Sequence, residues 1–126
     1  MAVDFEAPTI PKPYRVIFLG RAVDGWFKAD DAERREVVLP RAKAIFNDEW
    51  PQLGAKVLCT LDDDLFTVGS PATADFTWYL IYQLEDLDMI PAMLQRLRVT
   101  VDGARLDRYL HIEARVGRPF FLLGGV

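Results

Sequence analysis

"FTWYLIYQLEDLDMIPAMLQRLR", residues 76–98, changes its hydrophobic period partway along. Phe76 to Gln83 is dense in aromatic and aliphatic side chains and has the strongest strand character in the chain. Beyond Asp86 the apolar residues Leu87, Ile90, Leu94 and Leu97 recur at three- and four-residue steps, the stripe of an amphipathic helix. Pro91 has no amide hydrogen to donate and fits only the first turn, so the helix is expected to begin near Asp88.

Working outward, "YRVIFLG" (14–20) reads as a buried strand closed by Gly20. "DDAERREVVLPRAKAIF" (30–46) places Val38, Ala42, Ile45 and Phe46 on one helical face, with Asp30 and Glu33 at capping spacing. Pro40 predicts a kink there, or two short helices in tandem. "AKVLCTL" (55–61) is a further strand, "DDD" (62–64) a turn, and "LFTVG" (65–69) a candidate return arm. "SPATAD" (70–75) is loop by composition. The closing strand, "RYLHIEARVG" (108–117), splits by twos. Leu110, Ile112, Ala114 and Val116 form one face; Tyr109, His111, Glu113 and Arg115 form the other. Residues 1–13, with three prolines, read as an extended arm, 14–118 as one domain and 119–126 as an apolar tail.

The order is β-α-β-β-α-β, a ferredoxin-like α+β arrangement with two helices on one face of an antiparallel sheet. The other face also carries large side chains. A homodimer whose sheets face each other, a dimeric α+β barrel, would cover it.

The chain has 126 residues and net charge −4, with one cysteine and no Lys/Arg-rich segment. A single core suffices at this length. The balance argues against a nucleic-acid partner, and lone Cys59 excludes an internal disulfide and fits a reducing cytoplasmic setting, where it reads as a buried, inert thiol. No apolar run reaches the roughly 20 residues of a membrane span. Asp62, Asp63 and Asp64 lack the spacing of a calcium loop, and no metal site is expected.

His111 is the only histidine, the residue type whose chemistry suits proton transfer in either direction near neutrality. It is the candidate acid/base, or else a hydrogen-bonded sheet residue. Arg115 is the candidate anion anchor, or else the partner of Glu113. Tyr109 would donate a hydrogen bond. Trp78 and Tyr79 would supply aromatic walls, with Trp26 and Asp75 near the mouth; each also has a plain packing or turn-capping reading.

The run "YRVIFLGR…W", the charged first helix, the 76–98 stretch and "RYLHIEARVGRPF" resemble the darcynin and IacB-like group of small bacterial proteins, within the dimeric α+β barrel superfamily. The resemblance covers residues 14–118. It implies a dimeric barrel fold and a place in aromatic-compound catabolism. The superfamily includes cofactor-independent monooxygenases and isomerases, and no bound cofactor is expected. Three functions follow: an enzyme acting on a small aromatic or cyclic carboxylate, a binding or accessory protein with the same pocket, and a purely structural dimer.

Overall fold

The computed structural model describes residues 12–66, 68–69 and 76–123. Four strands, β1 (Tyr14–Ala22), β2 (Lys56–Asp62), β3 (Trp78–Leu84) and β4 (Leu110–Gly117), form one antiparallel sheet in the order β2-β3-β1-β4. Helices α1 (Asp24–Lys28) and α2 (residues 31–52) connect β1 to β2, and α3 (Met89–Gln95) connects β3 to β4. The chain order β-α-β-β-α-β is therefore present, with an additional short helix, α1, around Trp26 and Phe27. Beyond the sheet, Phe121–Leu123 forms a 3₁₀ turn in the apolar tail. The arm expected over 1–13 falls almost wholly outside the described residues.

Alternation divides the sheet as its sequence requires. Val16 and Phe18 of β1, Tyr82 and Leu84 of β3, and Ile112 of β4 are buried under the helices with Ile45, Trp50, Met93 and Leu106. Aromatic rings join the layers. Trp50 lies 4.9 Å from Phe18, 5.0 Å from Phe46 and 5.6 Å from Tyr82, mostly edge to face. Such pairs add about 0.5–1.5 kcal/mol each beyond the area they bury. The Trp50 indole N–H donates to the Met93 carbonyl at 3.0 Å, tying α2 to α3.

At Pro40, where a kink or two short helices in tandem were expected, the helical hydrogen bonding changes type rather than stopping. The helix runs through Pro40 and again through Pro51, because a wider, π-type turn precedes each proline: Arg34–Val38 and Ile45–Glu49. Leu39 and Trp50, the residues before the prolines, donate to the carbonyls of Arg34 and Ile45, five residues back. The wider turn accommodates a ring that would otherwise meet the carbonyl four residues earlier. Asp30 caps the helix, its carboxylate accepting the Glu33 N–H at 2.8 Å.

Three further expectations change. Leu65, Phe66, Val68 and Gly69 lie outside any strand, so β3 itself is the return arm of β2. Cys59 is exposed, because β2 is an edge strand whose seven residues all lie open. Arg108 and Tyr109 leave β4, in a 3₁₀ turn (Leu106–Arg108) and the residue capping it.

Candidate functional site

The sequence-derived site residues do not converge. Trp78 and Tyr79 are neighbours on β3 and so face opposite sides of the sheet. Tyr109, expected beside His111, is buried in the helix-side core: it sits in a turn, where strand alternation no longer applies. Trp26 packs partly buried against the same core, with the Arg34 guanidinium 5.2 Å over its ring. Asp75 lies outside the described residues.

His111, Glu113 and Arg115 do share the open face, on the edge strand β4. Glu113 takes both neighbours: His111 Nε2 at 3.4 Å and the Arg115 guanidinium at 3.9 Å. His111 also stacks on Phe76, with centroids 6.3 Å apart. An arginine on an inner face would have to be paired at a cost of several kcal/mol. Here, however, 66% of the Arg115 side chain is accessible, and an exposed pair of this kind contributes about 0.2–1 kcal/mol.

Tyr79 lies on the open face within a shallow groove of about 480 Å³, beside Ile17, Cys59, Ile81, Phe66 and Val68. Its hydroxyl donates to Asp63 at 3.0 Å, and the Phe76 carbonyl lies at 3.1 Å. The Asp63 carboxylate accepting this bond holds the Tyr79 hydroxyl above its ordinary value of 10.0. The far side of this groove is formed by loop residues that are themselves 78–85% exposed.

A second cavity, of about 460 Å³, has walls on two sides. α2 supplies Leu39, Ala42 and Phe46, spaced by three and four residues on one helical stripe; the sheet supplies Val57, Trp78, Leu80, Tyr82 and Leu110. The π-type turn at Ile45–Glu49 presents Phe46 and exposed Asn47 here, while Glu49 of the same turn reaches Arg41 and Arg96. The indole of Trp78 stands 6.0 Å from the Phe46 ring. Polar groups lie at the exposed rim, on Asn47, Thr60 and Asp62.

Tyr82 also lines this cavity and is 4% exposed as a residue. Burial raises its ionisation above the ordinary 10.0. Tyr82 and Phe46 escaped attention in the sequence because each reads as core; Tyr82 shares strand parity with Trp78, and that was the available signal.

A buried cluster completes the helix layer. Arg41, 6% exposed, pairs with Glu49, and Arg96 at the end of α3 pairs with the same carboxylate. The hydrogen bond from Arg41, ahead of that from Arg96, holds Glu49 below its ordinary 4.5 despite desolvation. Among the described residues no group of His, Cys, Asp and Glu could hold a metal ion, and no helix is long and apolar enough to cross a membrane. No protein-family model matches this chain, and no match is found among curated proteins or solved structures.

Proposed function

We propose that this chain is a small-molecule-binding protein, and that the cavity between α2 and the β2-β3 side of the sheet receives a planar, largely apolar ligand. One observation carries the reading: a cavity of about 460 Å³ has the apolar stripe of α2 as one wall and Val57, Trp78, Leu80, Tyr82 and Leu110 of the sheet as the other. Ligand sites are typically 300–1,000 Å³, mostly apolar, with few polar groups fixing orientation. Binding is favoured over catalysis because the acid/base candidate His111 lies on the opposite side of the sheet from these walls. Titrating ¹⁵N-labelled protein with naphthalene-2-methanol tests it. Saturable shifts at the Trp78 indole N–H are expected in the wild type and not in Ala42→Phe, which fills the cavity. Absence of any saturable shift in the wild type would overturn the reading.

The second reading concerns assembly and is favoured by the open face. Ile17, Tyr79 and Ile81 line an apolar surface there, and Arg15, Arg21 and Glu113 carry both signs of charge around it. A ferredoxin-like subunit pairing through this face with a second copy would bury the apolar surface and bring opposite charges together, the barrel dimer that the resemblance implies. His111, Glu113 and Arg115 would then stand at the seam between subunits.

A further inference from the structure

We infer that two diagonally opposite corners of the open face exchange contacts between two copies of this chain. The basic, apolar corner where β4 ends meets the acidic, apolar corner where the partner's β2 ends, and the reverse. This rests on the open face pairing with a second copy and adds which surfaces meet. Lys12, Arg15 and Arg118 line one pocket of about 230 Å³ with Gln83 and Pro119, and no acidic residue is among its walls. None of the three cations makes an ion pair among the described residues, although the chain has net charge −4. The tail continues from there with exposed Phe120, Leu122 and Leu123.

The other corner carries the complement. Asp62 ends β2, Asp63 and Asp64 follow it, and none of these carboxylates makes an ion pair among the described residues. Beside them Leu61, Leu65, Phe66 and Val68 are exposed. Strand order and direction fix where the corners lie. β2 is one edge of the sheet and ends beside Trp78, at the Gly20 end of β1; β4 is the other edge and ends beside Arg15.

A two-fold axis in the plane between two stacked faces can run in four simple directions. Along the strands, it lays the Arg118 corner over Lys56 at the start of β2. Across the strands, it lays that corner over the start of β4, beside Arg21. One diagonal lays the corner over its own copy. All three bring cations together and leave the acidic turn unmet, which like-charge repulsion disfavours. The other diagonal lays Arg118 and the tail over Asp63, Asp64, Phe66 and Val68. Strands of the two sheets then cross at about 90°, one of the two standard ways in which sheets pack.

Area points the same way. Four strands of about seven residues, spaced about 4.8 Å apart with a rise of about 3.3 Å, give a footprint of roughly 440 Å². A standard interface takes about 800 Å² from each partner, so side-chain relief alone would have to nearly double that footprint. The tail and the segment after β2 extend the contact beyond the sheet at both corners.

Light scattering of the full chain across a concentration series tests the exchange by charge reversal. Arg118→Glu and Asp64→Lys should each weaken dimerisation about tenfold, because two symmetric contacts per dimer become like-charge pairs. Both residues are exposed, so the subunit fold is expected to hold, with an unchanged circular dichroism spectrum as the check. The double variant should return to within about threefold of the wild type, and Leu122→Ser with Leu123→Ser should weaken the dimer as much as either reversal. A wild-type dimer indifferent to both reversals, or a double variant no better than the singles, would overturn the exchange while leaving the face pairing. Saturable pyrophosphate shifts at the Arg118 Nε–H in such an indifferent dimer would assign the basic pocket to a small anion instead. A wild-type monomer would overturn both the exchange and the pairing.

Discussion

The indole of Trp78 lies directly against Gly20 of the neighbouring strand, so close that a Cβ at position 20 would come within 2.0 Å of the ring. The two residues are register partners across β1 and β3. A glycine on the middle strand thus makes the space in which a cavity-wall tryptophan is seated, and sheet pairing is coupled to the shape of the site.

Gly20→Ala is expected to cost about 1–3 kcal/mol, the range for overpacking a filled interior. Urea unfolding would measure it. The same variant should weaken binding of naphthalene-2-methanol, since the ring that must shift is a wall of the cavity. Trp78→Leu combined with Gly20→Ala should recover part of the stability, because the nearest clashing atoms all belong to the indole.

Gly25 presents a harder obstacle. A Cβ there would stand 2.1 Å from the Arg108 carbonyl oxygen, which is backbone and cannot rotate aside. Gly25→Ala should therefore destabilise at least as much as Gly20→Ala, with no second-site side-chain change at position 108 restoring it. A rescue by Arg108→Gly to wild-type stability would contradict this.

The Arg41–Glu49–Arg96 cluster makes stability depend on acid. Glu49 ionises below 4.5 when folded, so its contribution is present above the unfolded-state value and is lost as pH falls through the lower folded value. Glu49→Gln should abolish that part of the acid-side slope. It should also cost about 3–5 kcal/mol near neutrality, because it strips the buried Arg41 guanidinium of its counter-charge. Denaturation curves of the two proteins from pH 3 to 7 would show both effects.

Tyr79 behaves in the opposite sense at the alkaline end. Its folded ionisation lies above 10.0 because Asp63 accepts from its hydroxyl, so its contribution is intact below 10 and is lost as pH rises through the folded value. Asp63→Asn should move the Tyr79 titration toward 10, followed by ¹³C shifts of the labelled ring. An unchanged titration would remove Asp63 as the cause.

Phe66 offers a test of assembly that spares the fold. It is 78% exposed in the single chain, so Phe66→Ser should leave unfolding of the isolated subunit within about 0.5 kcal/mol. If the open face pairs with a second copy, light scattering should report a dimer for the wild type and a shift toward monomer for Phe66→Ser. A wild-type monomer at micromolar concentration would sink the pairing.

Much of the architecture was legible in local patterns. The alternation in 108–117 sorted Leu110 and Ile112 from His111 and Glu113 correctly, and the three- and four-residue spacing marked the helices α2 and α3. Pro91 was placed in the first turn of α3, where it is found. These are short-range properties: backbone geometry and side-chain period depend on neighbours a few residues away. The course of α2 past Pro40 was not legible, because a π-type turn has no strong composition signature.

The candidate site depended on long-range geometry. The residue types alone supplied its materials: an aromatic third strand, an apolar helical stripe and a lone histidine. Which materials meet was decided by the order β2-β3-β1-β4, which leaves β2 and β4 at the edges. That order puts β4's histidine, glutamate and arginine in the open, and sets Phe46 of α2 against Trp78 of β3. Tyr109 turned inward because the chain is still in a turn there, two residues before His111. Strand period assigns a residue to a face, but only the packing of one element on another decides whether that face borders solvent, core or a cavity.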